Sequence, residues 1–213
     1  MEEIEIINLW KAYDQKLSEN LSFSKENAIE ITKLKAQSLL SSMKPTKIFT
    51  ILVGIIWVSF VNWLILSFYN VANPFFLISA AIQSLLSMLA IGVYIYQYFL
   101  IQRVDISEPI VKTQEKIATL KTSTLWVTRF LLLQLPVWTT FYWNKSMLEN
   151  GNLFLLIFQG IITTVTIFAA IWLFFNIKYE NKDKKWFKIL FSGKEWNPLM
   201  ASMEMLEQIK EYE

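Results

Sequence analysis

Four side-chain amides lie inside long apolar stretches of this sequence, where polar residues are uncommon. Counted from the ends that we predict to face outward, Asn62, Gln83 and Gln159 lie about two helical turns deep, and Gln134 lies slightly deeper. An amide donates and accepts hydrogen bonds, so four of them at one depth could form a polar layer for a solute or a lipid headgroup. The first candidate site is therefore this intramembrane polar layer.

Regular spacing supports an inward orientation for two of these amides. The second apolar stretch contains a 4-3-4-3 series of small and polar residues, and the fourth contains a 4-3-4 series: Gln83, Ser87, Ala90, Tyr94 and Gln97, then Gln159, Thr163, Thr166 and Ala170. Such stripes also join helices in lipid, so a packing seam is the alternative to a cavity. No Asp or Glu lies within these stretches, which disfavours a transporter coupled to protons or cations.

Residues for most kinds of catalysis are absent. The chain has no His and no Cys, which excludes imidazole and thiolate ligands or nucleophiles. The acids expected near the inner membrane face are Asp105, Glu108 and Asp183, and helix capping or solvated charge explains them without catalysis. We therefore expect no enzyme activity, catalytic residue, cofactor or metal site.

One stretch, residues 125–143, also contains Arg129 and Pro136. Arg129 lies about one turn from the predicted cytoplasmic end, where its guanidinium could extend to lipid phosphates. Pro136 should bend the helix, because it has no N–H to donate to the carbonyl of Leu132.

Composition indicates the elements that hold these residues. The 213-residue chain is 54% hydrophobic with a mean hydropathy of +0.36, which is typical of a small polytopic membrane protein. About 20 apolar residues cross a bilayer as a helix. The sequence predicts an all-α fold whose four-helix transmembrane bundle consists of two hairpins within residues 47–177, with spans near 48–69, 75–101, 125–143 and 153–177.

Basic residues predict the orientation. Lys and Arg concentrate before the first span, in the link 102–124 and after the fourth span, whereas the two hairpin tips carry almost none. We expect a multi-pass protein of the inner (plasma) membrane with both termini cytoplasmic. The first 46 residues are polar, so we expect no cleavable signal peptide. A net charge of +2 gives no reason to expect nucleic-acid binding.

The cytosolic parts are predicted to be amphipathic helices. Segment 1–46 should form two helices that meet at an elbow, with Ser22 or Ser24 as the second N-cap. The link should extend the second span, and its face comprises Ile106, Ile110, Thr113, Ile117 and Leu120. Segment 178–213 should hold a helix on anionic lipid and a last helix capped by Asn197, with Lys184, Lys185 and Lys188 as headgroup contacts.

The first cytosolic helix is the main candidate for protein binding. Trp10, Tyr13 and Leu17 recur on one face of it, while its charged residues point elsewhere. This face could pack against the other cytosolic helices as a closed cap, or it could bind a soluble protein.

The segment LWKAYDQKL, residues 9–17, resembles a group of bacterial four-span inner-membrane proteins of uncharacterised function through Leu9, Trp10, Tyr13, Lys16 and Leu17. Related proteins are similar to membrane-bound regulators associated with extracytoplasmic-function sigma factors. The resemblance implies that the N-terminal helices are an anti-sigma-like docking segment.

Two functions remain at this stage. The first is a non-enzymatic membrane protein whose cytosolic helices dock or sequester a soluble partner through Trp10, Tyr13 and Leu17. The alternative is a transport, channel or membrane-complex subunit that uses the amide layer. Four helices make a thin bundle, so a pore would require a homo-oligomer.

Overall fold

A computed structural model describes residues 2–104, 108–193 and 196–212. Within these ranges the backbone forms helices and connecting turns, without strands. The α-helices are α1 (Glu2–Ser41), α2 (Lys44–Phe68), α3 (Pro74–Gln102), α4 (Ile110–Leu132), α5 (Leu135–Thr140), α6 (Lys145–Asn150), α7 (Leu153–Asn176), α8 (Lys185–Leu190) and α9 (Asn197–Tyr212).

Three helical stretches among the described residues are long and apolar enough to cross a membrane. They are Trp10–Phe68, which joins most of α1 to α2, then α3 and α7. The apolar parts of these stretches coincide with the first, second and fourth predicted spans. Large apolar side chains such as Leu66, Phe154 and Phe168 are exposed on their surfaces, as expected for lipid-facing residues.

The third predicted span is divided between two helices. α4 ends at Leu132 and α5 begins at Leu135, with Pro136 in the first turn of α5. Proline is tolerated in a first helical turn but interrupts an interior, so the predicted bend at Pro136 is confirmed as a two-residue break at Leu133 and Gln134.

The predicted elbow in the N-terminal segment is wrong. Residues 2–41 form one continuous helix, and the Ser22 hydroxyl donates to the Glu19 carbonyl at 2.8 Å instead of capping a new helix. Serine in a helix interior can make such a backward bond, and no Gly or Pro lies in residues 2–41 to end the helix.

The predicted continuation of the second span into the link is also wrong. α3 ends at Gln102, whereas α4 runs without interruption from the link into the third predicted span. Pro109 precedes the first residue of α4, where its missing N–H costs nothing. Thr113, Ile117 and Leu120 are buried as predicted, whereas Asp105, Ile106 and Ser107 lie outside the described residues.

One continuous face of α1 and α2 packs against the rest of the protein, and we call this face the seam. Its members follow one another at spacings of four or three residues, and all are buried or half-buried: Ile29, Lys33, Ala36, Leu40, Met43, Lys47, Ile51, Gly54, Val58 and Val61. The spacing continues across the Ser42–Met43 turn, so the packed residues of α1 and α2 lie on the same side. At Gly54 an added Cβ would lie 3.0 Å from Ile91, so the missing side chain lets α2 approach α3 closely.

The most extensive buried core lies at the predicted cytoplasmic end of the bundle. It joins the second half of α1 to the ends of α3, α4 and α7 and to α8 and α9 through a cluster of apolar side chains that includes Leu40, Met43, Ile101, Ile117, Ile177, Phe187, Phe191, Trp196 and Leu199. We call this cluster the cytosolic cap.

Candidate functional site

The first half of α1 projects beyond the cytosolic cap. Every described side chain from Asn8 to Ala28 is exposed, and we call residues 8–28 the arm. Trp10 is 70% exposed, Tyr13 69% and Leu17 49%. The three residues that the sequence predicted as a partner-binding face therefore lie together on an open helix surface.

This face points away from the seam that holds α1 to the rest of the protein. At 100° per residue, Trp10, Tyr13 and Leu17 are centred roughly 130° around the helix from the seam. Leu21 and Ile31 extend the same stripe, and both are exposed. The second half of α1 can thus pack in the cap while the aromatic stripe remains accessible.

Hydrogen bonds fix the base of the arm. Gln37 Nε2 donates to the Val104 carbonyl at 3.0 Å, and Lys33 Nζ donates to the Glu108 carbonyl at 3.5 Å. Ile29, Met200 and Met203 pack at the edge of the cap core. A closed cap does form, but it uses the second half of α1 and the turn that follows, residues 29–43, rather than Trp10 and Tyr13.

Among the described residues, no hydrogen bond joins any two of the four predicted amides, and each has a different environment. Asn62 donates to the Val58 carbonyl and accepts from Ser84 Oγ at 3.2 Å, while Gln134 donates to Ser87 Oγ at 3.3 Å. Gln159 donates to the Thr139 carbonyl at 2.7 Å. Three amides thus join neighbouring helices or turns, which is the packing role proposed as the alternative.

Gln83 is the exception among these amides. Its side chain is 1% exposed, and its Nε2 atom makes no hydrogen bond within the described part of the chain. Both predicted stripes do face inward, since Ala90, Gln97, Thr163 and Ala170 are buried.

Arg129 bonds to the protein where the sequence predicted contact with lipid phosphate. Its Nε donates to the Ile177 carbonyl at 2.7 Å, and its Nη2 donates to the same oxygen. The guanidinium also lies 4.7 Å from the centre of the Trp126 ring. A cation at this position satisfies a carbonyl at the C-terminal end of α7 and opposes the negative end of its helix dipole.

The predicted lipid-facing lysines are exposed at the edge of the cap. Lys184, Lys185 and Lys188 extend from α8 and its first turn, and Ile189 and Leu190 are exposed beside them. Phe187 and Phe191 pack inward against Trp196, with ring centres 5.8 Å and 4.7 Å from it. Only part of the apolar surface of α8 is therefore left for lipid.

The acids considered for catalysis form ion pairs where they are described. Glu108 lies 2.5 Å from Lys116 Nζ, and Asp183 lies 3.8 Å from Lys188 Nζ. Among the side chains that the structure describes, no group of three or more acidic residues could hold a metal ion.

The sequence did not predict the burial of Lys47. This residue was interpreted only as a basic marker of orientation, but it is fully buried and its Nζ lies 4.3 Å from the centre of the Tyr94 ring. The spacing could have indicated this burial, because Lys47 follows Leu40 and Met43 on the same helix face. Tyr94, its aromatic neighbour, belongs to the polar stripe of α3.

Comparison of the chain with protein-family models, with curated proteins and with solved structures finds no match.

Proposed function

We propose that this protein is a four-span protein of the inner membrane with both termini in the cytosol. α2, α3 and α7 supply three spans, and residues 125–143 of α4 and α5 supply the fourth. That stretch holds 19 residues from Leu125 to Trp143, and a continuous helix of this length would measure about 28 Å, close to the thickness of the hydrocarbon core; α4 and α5 together cover it to Thr140 apart from the break at Leu133 and Gln134. The clustering of Lys and Arg at the cap end supports the orientation.

We further propose that the protein is a non-enzymatic docking protein whose arm binds a soluble partner. The main observation in support of this proposal is that Trp10, Tyr13 and Leu17 are exposed on one face of a helix that extends beyond the cap. Two aromatic rings and a leucine at this spacing are the anchors that a helix places in an apolar groove. The fitting partner is a soluble protein with such a groove, and the motif resemblance makes a sigma factor the first to test.

The arm is suited to recruitment because it is tethered. The cap fixes residues 29–43, and α2 is embedded in lipid, so a partner bound to the arm would be held at the membrane surface. Sequestration of a regulator follows from this geometry without any chemical step. The amide layer as a transport path receives less support, because Asn62, Gln134 and Gln159 each bond to their own neighbours.

The test is affinity purification of the tagged full-length protein in mild detergent, with mass spectrometry of bound proteins. The double variant Trp10→Ala, Tyr13→Ala should lose the soluble partner. Each truncated anchor costs roughly 1–2 kcal/mol of binding free energy, so the two together should weaken the affinity by about thirtyfold to several hundredfold. Membrane insertion should be unchanged.

Phe23→Ala is the matched control. Phe23 is also an exposed aromatic of the arm, at 66%, but it lies about a third of a turn from the stripe. Recovery of the partner should survive this change. If the double variant retained the partner, or if Phe23→Ala lost it equally, the assignment of the binding face would be wrong.

A further inference from the structure

An aromatic cavity opens in the outer half of the predicted bundle, between α2, α3 and α5. Its volume is about 320 Å³, within the range of small-molecule sites. The walls include the rings of Trp57, Phe60, Phe76, Trp138 and Phe141. Trp57, Phe60 and Trp138 are each more than a third exposed, so the cavity opens sideways to whatever surrounds the helices.

One amide side chain, Gln83, lies in this largely apolar wall, to which Tyr142 also contributes a hydroxyl group. Gln83 is almost completely buried, and its Nε2 atom makes no hydrogen bond to the described residues. A buried amide without a partner typically costs about 1–3 kcal/mol, and native proteins contain few of them. Asn62, Gln134 and Gln159 all have partners, so Gln83 is the one member of the predicted amide layer with an unsatisfied donor, although Gln97 Oε1 and Trp143 Nε1 also lack partners elsewhere among the described residues.

The depth of Gln83 restricts what could satisfy it. It lies nine residues beyond Pro74, which places it about 13 Å along α3, in the outer half of this helix and inside a hydrocarbon core about 30 Å thick. Ester carbonyls of phospholipids stay at the interface, too far from Gln83. A carbonyl that dissolves in the hydrocarbon core can approach it through the cavity, and the buried Gln83 amide must turn toward the opening to meet it.

We propose that this cavity binds a planar, lipid-soluble carbonyl compound of the quinone type. The Gln83 amide donates to one carbonyl oxygen, and the aromatic walls contact the apolar ring. The sideways opening between Trp57, Phe60 and Trp138 admits the ligand directly from the bilayer. The proposal concerns binding alone and is independent of the arm, which takes no part in the cavity.

The experiment is a fluorescence titration of the purified full-length protein in mild detergent. A short-tailed benzoquinone, which quenches tryptophan, should give saturable quenching because Trp57 and Trp138 line the cavity. An alkylbenzene of the same tail length, which has no carbonyl, and a short-chain phosphatidylcholine serve as competitors. Neither should displace the quinone at matched concentration.

Gln83→Leu and the unbranched Gln83→Met should both weaken quinone binding about tenfold, the effect of losing one buried hydrogen bond. Gln134→Leu is the matched control, since that amide bonds to Ser87 outside the cavity lining, and it should leave the quinone affinity unchanged.

Thermal stability distinguishes a ligand-binding amide from a structural one. Because Gln83 Nε2 has no partner, both Gln83 variants should unfold in detergent at the same temperature as the wild type or at a higher one. The proposal would be overturned by quenching that only rises linearly, by unchanged affinity in the Gln83 variants, by displacement with phosphatidylcholine, or by lower stability of both variants.

Discussion

At the scale of single residues, Arg129 illustrates how a membrane helix uses a charge internally. Its guanidinium donates twice to the Ile177 carbonyl, which joins α4 to the end of α7. Ile177 is itself fully buried in the cap core. The interaction therefore closes the bundle at the level where span and cap meet.

Replacing Arg129 by Met should lower the free energy of unfolding in detergent by about 2 kcal/mol, the usual worth of a hydrogen bond to a charged group. Urea denaturation followed by circular dichroism would measure the change. Arg103→Met is the control, because Arg103 is exposed and is the other arginine of the chain. Equal stability of Arg129→Met in detergent, with a loss only in anionic lipid, would restore the phosphate-contact interpretation.

The sequence predicted residue positions better than residue partners. Spacing placed Gln97, Thr163 and Ala170 on buried faces, and it grouped Trp10, Tyr13 and Leu17 on one exposed face. It did not predict that Gln134 meets Ser87 or that Gln83 lies in a cavity wall. Periodicity within one helix gives a direction, whereas pairing depends on the rotation and depth of two helices together.

At the scale of elements, the span limits were predictable and the helix breaks were less so. Runs of apolar residues located α2, α3 and α7 because lipid requires a fixed length of helix. The continuity of α1 was missed because serine is favoured at helix N-caps, yet inside a helix its hydroxyl can instead bond to an earlier carbonyl, as Ser22 does here. Pro136 was the stronger signal, since its ring and missing N–H act whatever the tertiary context.

The continuity of α1 can be tested by the distance between two spin labels. Labels on Lys11→Cys and Asn27→Cys should lie about 24 Å apart along the axis, because 16 residues separate them in an unbroken helix. The chain has no native Cys to interfere with labelling. A right-angled elbow at Ser22 would shorten the separation to about 18 Å or less, which pulsed electron paramagnetic resonance would resolve.

At the scale of the whole molecule, the long apolar helices adjoin a small packed cap at one of their ends. The cap draws side chains from both ends of the chain, such as Leu40 and Leu199, and from the link, such as Ile117. Such long-range packing cannot be derived from local patterns, although amphipathic faces in all three cytosolic segments indicated that something must cover them.

Cysteine labelling should establish the orientation of this arrangement. Ser18→Cys lies on the arm, and Ser146→Cys lies on α6 at the opposite end of the molecule; both positions are exposed. In intact cells a membrane-impermeant maleimide should label Ser146→Cys, and it should label Ser18→Cys only after the membrane is opened. The reverse pattern would place the arm outside the cytosol.

Because the seam continues along one face from α1 into α2, the arm should move together with the first predicted span. Since Ile29 through Val61 share one face, the first span and the arm cannot turn independently without unpacking that face. A transmembrane helix tilts when the bilayer becomes thinner. From Lys44 to Asn8 is about 54 Å of helix, so a tilt of about 10° would carry the arm's tip sideways by about 9 Å. A change in bilayer thickness would therefore move Trp10 sideways beneath the membrane.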